Sequence, residues 1–248
     1  MKSHDPRHKI LLAVLLLLPS AAAYALHWAI FRNAHDIFYY LLMDVAFLFV
    51  QAVLASLVLD RVLNARERQA IVKKLNVVVG VFFSQVGTPL LRLLSPFDSR
   101  AEDARKHLKV DGGWTAQHFA KMQDVLQSHE PAIDAARGDL ALLKVTLGQQ
   151  REFLVRLLEN PNLLEHETMT ELLWAVFHLA DELAHRPSVA SLPDPDRRHL
   201  EADMRRAYDL LVREWLRHMQ HLKSDYPYLF SLAVRTNPFN PEARVEVT

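Results

Sequence analysis

The 248-residue chain contains no cysteine and few glycines, and these shortages remove the usual supports of several kinds of chemistry. Without cysteine, disulfide bonds and thiolate metal sites are excluded. No glycine belongs to a phosphate-binding Gly-Lys-Ser/Thr loop or to a dinucleotide fingerprint, and a Gly-x-Ser-x-Gly nucleophile elbow is missing too. The glycines are Gly80, Gly87, Gly112, Gly113, Gly138 and Gly148. The sequence therefore predicts no cofactor, and neither nucleotide nor serine-hydrolase chemistry is indicated.

The chain also lacks a net charge, because 29 basic residues balance 29 acidic ones. Nucleic-acid-binding proteins concentrate basic residues on one surface, so we expect no nucleic-acid partner. Strand patterns are nearly missing, with only a weak alternation at residues 244–247. Helical periodicity prevails elsewhere, and Thr115 and Asp139 are placed to cap helices. These features predict an all-α fold with a helical bundle.

Near its start, the sequence is rich in apolar residues, which form two runs at 10–31 and 37–59. As a helix, each run is roughly 33 Å long, enough to cross a hydrocarbon core of about 30 Å. The link between them is so short that the two helices have to run antiparallel. We therefore predict that residues 1–60 form a transmembrane hairpin in the lipid bilayer.

Basic residues on both flanks predict the orientation of this hairpin. They are Lys2, Arg7 and Lys9 before the first run, and Arg61, Arg66, Arg68, Lys73 and Lys74 after the second. Because Lys and Arg are retained on the cytoplasmic side, we expect a two-pass protein of the inner (plasma) membrane with both termini in the cytoplasm. The alternative is a cleaved signal peptide ending near residues 21–25. Apolar residues continue past that point, which favours an uncleaved anchor.

Asp44, Gln51 and Tyr24 stand out among the polar side chains within the predicted spans. Asp44 lies about eight residues inside the second run, and Gln51 follows on the same helix face. In an antiparallel hairpin, Tyr24 comes level with Asp44. An ionisable group at this depth normally faces protein or water. We favour a role for Asp44 as a hydrogen-bonding contact between helices, and a proton or cation relay is the alternative.

The chain after the spans divides into three parts. Residues 61–94 are interpreted as a juxtamembrane helix followed by an apolar segment, in which Asn76, Gly80, Ser84 and Gly87 form a stripe of small or polar residues. The apolar segment is interpreted first as a packed core helix and second as a membrane-surface segment. Residues 95–235 are predicted to form a cytoplasmic helical domain, and residues 236–248 a tail.

Two groups of histidines raise the question of a metal site. Glu214, His218 and His221 stand at spacings that can present three ligands together on one helix. The more ordinary interpretation is a core histidine, His218, with two partly exposed neighbours. The second group, His178, Asp181, Glu182 and His185, is predicted to lie on a solvated helix face and to form i, i+4 ion pairs.

Three short segments resemble stretches in bacterial inner-membrane proteins of unassigned function. They are Phe82-Phe83-Ser84-Gln85-Val86-Gly87, Tyr226-Pro227-Tyr228-Leu229-Phe230 and Thr236-Asn237-Pro238-Phe239-Asn240-Pro241. The resemblance implies a bacterial membrane setting and brings no activity or site with it.

Three functions remain open at this point. The leading hypothesis is a membrane-anchored helical interaction module, acting as scaffold, adaptor or sensor with a protein partner or as a homo-oligomer, for which the sequence shows no evident catalytic activity. The second is a small oligomeric pore or transport accessory around Asp44 and Gln51. The third is a membrane-tethered metal-binding domain that uses Glu214, His218 and His221.

Overall fold

The computed structural model describes residues 6–164 and 166–246, with side chains at 14–15, 17–33, 35–62, 75–102, 105–161, 163 and 166–246. Its helices are α1 (Pro6–Phe31), α2 (Ala34–Phe82), α3 (Thr88–Leu94), α4 (Ala101–His107), α5 (Ala116–Gln127), α6 (Leu140–Leu158), α7 (Pro161–Leu164), α8 (Glu167–His185), α9 (Asp194–Asp225) and α10 (Pro227–Arg235). A single antiparallel bridge between Asp98 and Ile133 is the only β pairing among the described residues. The all-α prediction is confirmed.

The chain divides into two compact units, Met1–Arg68 and Gln69–Thr248. In the first unit, α1 ends where the Arg32 amide donates to the Trp28 carbonyl over 2.9 Å, and Arg32 itself has a φ of 53°. The Asn33 side chain then accepts the His35 amide at 3.1 Å, which caps the start of α2. Only two residues therefore separate these helices.

The apolar side chains of the first unit face outward. Between residues 14 and 62, nearly all described large apolar side chains are exposed, from Leu41 at 41% to Leu42 at 72%. Two apolar helices are thus present, as predicted. Most of the basic side chains that predict their orientation (Lys2, Arg7, Lys9, Arg66, Arg68, Lys73 and Lys74) lie outside the described side chains, as do residues 10–13 of the first run.

The second unit has one hydrophobic core, centred on α8 and α9. The periodic positions predicted for α8 (Met169, Leu172, Leu173, Val176, Ala180 and Leu183) and for α9 (Leu200, Met204, Tyr208, Leu211, Trp215 and Leu222) are all buried. Helix α6 packs on α8, while α5 and α10 pack on α9. The predicted caps also form, because Thr115 accepts from the His118 amide and Asp139 from the Leu142 amide. Local sequence signals and burial agree throughout this unit.

The apolar segment before residue 95 belongs to the same core. Its buried side chains are Val79, Phe82, Phe83, Val86, Leu90, Leu91 and Leu94. This agrees with the first interpretation of the segment, and it extends the core into a range that the sequence analysis set apart from the helical domain.

A π-helical turn, Phe83–Gly87, interrupts the helical chain between α2 and α3. Glycine is needed at its end, since a Cβ on Gly87 would lie 2.5 Å from Phe83 Cδ1 and 3.0 Å from Phe82 Cε1. The phenylalanine rings pack against the bare backbone there. Turns of this kind are frequent at functional sites.

The beginning of the predicted tail packs onto the second unit. Asn237 and Phe239 are buried. The side-chain amide of Asn237 donates to the Leu108 carbonyl at 3.0 Å, and the Phe239 ring packs edge-on against Trp215 with ring centroids 5.0 Å apart. The last residues of that range, 247–248, lie outside the described residues. The aromatic ending therefore docks back on the bundle.

Candidate functional site

A cavity of about 550 Å³ opens in the second unit between the end of α2, the π-helical turn, α9 and α10. Its walls are mostly apolar and aromatic, with a few polar groups among them. The lining includes Asn76, Gly80, Phe83, Ser84, Gln85, Thr88, Trp215, His218, Met219, His221, Leu222, Tyr226, Tyr228, Leu229, Leu232 and Thr236. Three members of the stripe of small or polar residues identified in the sequence, Asn76, Gly80 and Ser84, lie on this wall. Their small side chains leave the space that larger residues would fill.

His218 forms part of the cavity wall and is one of the predicted metal ligands. Its periodic position on α9 places it in the core, where it is 9% exposed. The imidazole stacks on the Phe83 ring, with centroids 5.0 Å apart and planes 11° from parallel. Burial lowers the pKa of His218 to about 4, with the nearby His221 as a second cause. The ring is therefore neutral at pH 7.

His221 lies one turn along α9 and also lines the cavity. Its Nδ1 atom is 2.7 Å from Asp225 Oδ2 and 3.4 Å from the Asn76 side-chain amide. Within the described part of the chain, neither His221 Nε2 nor His218 Nδ1 has a hydrogen-bond partner, although both atoms are buried. Buried polar atoms without partners cost free energy unless a ligand or water satisfies them. Two imidazoles in the cavity wall thus have unused hydrogen-bonding capacity.

Glu214, the third residue of the predicted metal set, does not line this cavity. Its side chain is 6% exposed and pairs with Arg217 on the next turn of α9. Within the described residues, ligand atoms that cluster within 4.8 Å of one another come from His178, Glu182 and His199. The structure therefore places His218 and His221 at one cavity and gives Glu214 a separate partner.

The predicted ion pairs on α8 are present. His178 Nε2 lies 3.9 Å from Glu182 Oε1, and His185 Nδ1 lies 3.9 Å from Asp181 Oδ2.

In the first unit, the structure brings Tyr24 and Asp44 together. The tyrosine hydroxyl donates to Asp44 Oδ2 at 3.3 Å, in line with the equal depth expected of the two residues. Gln51 is exposed on α2. This arrangement links α1 to α2 by a side-chain hydrogen bond, and it leaves the functional hypotheses about Asp44 as predictions.

Comparison with known proteins adds a family. Residues 2–63 match the family model described as "MJ1433, N-terminal helical domain", and residues 71–235 match "Uncharacterized protein MJ1433, C-terminal helical domain". The chain is also 41% identical over 237 residues to "Uncharacterized protein MJ1433" of Methanocaldococcus jannaschii, which covers 96% of this chain and 95% of the relative. No solved structure matches. A family of unassigned function agrees with the predicted resemblance, whereas the bacterial setting does not find support, because this relative is archaeal.

Proposed function

This chain belongs to the MJ1433 family of helical-domain proteins, and from that membership and the geometry of the cavity we propose that it is a membrane-anchored sensor. The second unit binds a small, mostly apolar ligand in the cavity, and the first unit holds the protein in the membrane. The neutral imidazole of His218 in the wall of a mostly apolar cavity is the observation that carries the proposal.

Support for the membrane anchor comes from the surface of α2. The segment His35–Val62 is apolar over 28 residues, and none of its most apolar stretch is buried within the protein. A contiguous apolar surface of this size favours contact with lipid or with a partner. Trp28, Phe31, Phe38, Tyr39 and Tyr40 are exposed around the junction of α1 and α2, which suits an interfacial aromatic belt.

The anchor proposal places both chain termini in the cytoplasm. A reporter that is active only in the cytoplasm should be active when fused after Thr248 and inactive when inserted at residues 33–35. Activity of a periplasm-type reporter, one that works only outside the cytoplasm, at Thr248 would contradict this orientation.

The chemistry of the cavity indicates which ligand it suits. A volume of about 550 Å³ lies within the range of small-molecule sites, which combine apolar walls with a few polar groups that fix orientation. Phe83, Trp215 and Tyr226 offer aromatic surface, while His218 and His221 offer hydrogen bonds. Because His218 is neutral at pH 7, a charged group gains no ion pair from it. We therefore propose a ligand with an aromatic or branched apolar body and one uncharged hydrogen-bonding group.

Filling the cavity tests this function. A Cβ on Gly80 would meet only His218 Cε1, at 3.7 Å, so that Gly80→Leu extends into the cavity without a backbone clash. Gly148→Leu is the matched control, since nothing lies within 4 Å of that position and Gly148 is exposed on α6. Native mass spectrometry of the chain in nanodiscs should show a bound small molecule in the wild type and in Gly148→Leu. It should be missing in Gly80→Leu while circular dichroism shows unchanged helicity. Equal occupancy in all three proteins would disprove cavity binding.

A further inference from the structure

Between α8 and α9, away from the cavity, ligand atoms of His178, Glu182 and His199 all lie within 4.8 Å of one another, and Asp203 approaches both histidines. Each helix contributes a histidine followed four residues later by a carboxylate: His178 and Glu182 on α8, and His199 and Asp203 on α9. His178 approaches Asp203, and Glu182 approaches His199, so that the two helices run antiparallel and present the same pair of groups to each other. Such facing pairs are the way in which helical bundles build metal centres.

The distances within this cluster are too long for hydrogen bonds and suit shared coordination. Asp203 Oδ2 lies 3.5 Å from His178 Nε2 and 3.4 Å from His199 Nε2. Glu182 oxygens lie 3.9 Å from His178 Nε2 and 3.8 Å from His199 Nε2. An ordinary N–H···O bond is about 2.9 Å. Two ligands of one tetrahedral Zn²⁺, each about 2.1 Å from the metal, are separated by about 3.4 Å.

Asp203 gives an independent indication that a ligand belongs here. Its side chain is 6% exposed, and Oδ2, the atom that faces both imidazoles, is buried without a hydrogen-bond partner among the described residues. A buried carboxylate oxygen is costly unless it is paired or coordinates a metal. The imidazoles that face it stand too far away to satisfy it directly.

Arg186 holds the second carboxylate in place. Its Nη1 atom donates to Glu182 Oε2 at 2.7 Å, and its Nη2 atom donates to Asp196 Oδ1 at 2.6 Å. Contacts of this kind around a ligating carboxylate orient it. Arg186 therefore fixes the position of Glu182 Oε2, while Oε1 faces His178.

We propose that His178, Glu182, His199 and Asp203 form a binding site for one divalent transition-metal ion, with Zn²⁺ as the best match. Two imidazole nitrogens and two carboxylate oxygens are ligands that Zn²⁺ accepts, whereas Mg²⁺ and Ca²⁺ prefer oxygen alone. The side chains of His178 and His199 are 48% and 56% exposed, which leaves a path for the ion. The bound ion joins α8 to α9 across the centre of the second unit.

The sequence contains only a partial signal for this site. The spacing of His178 and Glu182 predicts a solvated face when the buried positions of α8 are considered without the neighbouring helix α9. His199 and Asp203 repeat the same four-residue spacing at the start of α9. Only the packing of α8 on α9 brings the two pairs together.

Zinc titration of the full-length chain in detergent tests the proposal. The protein carries a tag without histidine and is freed of metal with a chelator before isothermal titration calorimetry with Zn²⁺. Wild type should bind one Zn²⁺ per chain, and Asp203→Asn and His199→Gln should each weaken binding by at least about tenfold. Co²⁺ in place of Zn²⁺ should give the intense visible absorption of a tetrahedral site in the wild type and not in Asp203→Asn or His199→Gln.

Matched variants distinguish this site from other histidines. His185→Gln changes a 78% exposed histidine on the same helix and should bind Zn²⁺ like the wild type. His221→Gln, at the cavity, should do so as well. Equal affinity in Asp203→Asn, His199→Gln and wild type would overturn the proposal, and so would loss of binding in His221→Gln or an absence of binding in the wild type. His199→Gln lies at an exposed position, so that it keeps the test valid if Asp203→Asn fails to fold.

Discussion

Among the residues that the structure describes, two helical segments are long and apolar enough to cross a membrane, and they have opposite surroundings. In His35–Val62, none of the most apolar stretch is buried, whereas 44% of the corresponding stretch of Leu75–Phe97 is buried within the second unit. The first unit leaves apolar side chains such as Leu54 exposed, while the second covers Leu91 completely. Length and hydropathy therefore do not distinguish an exposed apolar helix from a core helix in this protein.

The difference lies in the other residues of each segment. A helix that is apolar on all sides is either buried in protein or placed in lipid. Residues 37–59 are apolar nearly all round, apart from Asp44, Gln51 and Ser56. The later segment has Asn76, Gly80 and Ser84 at four-residue intervals, and these line the cavity while the opposite face packs in the core. Small polar residues at helical spacing thus mark the helix that packs against protein.

Truncating one leucine in each segment should produce the largest contrast. Leu91 is 0% exposed, so Leu91→Ala should lower the free energy of unfolding of the second unit by about 2–5 kcal/mol. Leu54, at 56% exposed, is the matched control, and Leu54→Ala should change that free energy by less than about 0.5 kcal/mol. Denaturant unfolding of the full chain in detergent, followed by circular dichroism, measures both. Similar losses in the two variants would contradict the assignment of their surroundings.

The buried wall of the second unit should also respond to acid through His218. Its pKa in the folded protein is about 4, below the ordinary value of 6.5. Between these pH values the unfolded chain binds a proton that the folded chain does not, so stability present above pH 6.5 is lost as the pH falls toward 4. The loss should reach about 3 kcal/mol.

Unfolding midpoints measured across this pH range check the role of His218. His218→Gln removes the titrating group and should flatten the pH dependence of stability relative to the wild type. His185→Gln, which alters an exposed histidine, should leave the dependence unchanged. A wild-type slope that persists in His218→Gln would show that His218 is hydrated in the folded protein.

Sequence reasoning succeeded where one helix determines the outcome. The buried stripes of α8 and α9, the caps at Thr115 and Asp139 and the core position of His218 all follow from periodicity and local hydrogen bonding. It failed where two helices have to be placed side by side. Predicting the cavity requires knowing that α2 and α10 pack against α9. Predicting the cluster that includes His199 and Asp203 requires knowing that α8 packs against α9. Glu214 shows the limit of spacing alone. Its spacing from His218 and His221 suggested a metal ligand, whereas its carboxylate forms an ion pair with Arg217.

The smallest expected effect concerns the hydrogen bond between Tyr24 and Asp44 in the first unit, where the hydroxyl donates over 3.3 Å. If Asp44 joins α1 to α2, Asp44→Asn should keep the bond, and Asp44→Leu should weaken the association by about 1 kcal/mol, the usual scale for such contacts in lipid. Tyr24→Phe should cost a similar amount. Because Asp44→Leu and Tyr24→Phe remove the same hydrogen bond, the variant with both changes should lose little more association free energy than either single variant. Unfolding in mixed micelles measures this loss.

A proton or cation relay at Asp44 instead requires the ionised carboxylate, which Asn cannot supply. Proton and cation flux in liposomes containing the wild type or Asp44→Asn separates the two roles. The hydrogen-bonding role predicts the same absence of flux in both proteins. Flux in the wild type that disappears in Asp44→Asn would instead favour the pore hypothesis. It would also show that the exposed helix of the first unit takes part in transport. The same absence of flux in both proteins would instead confine the chemistry of this protein to the buried helices of the second unit.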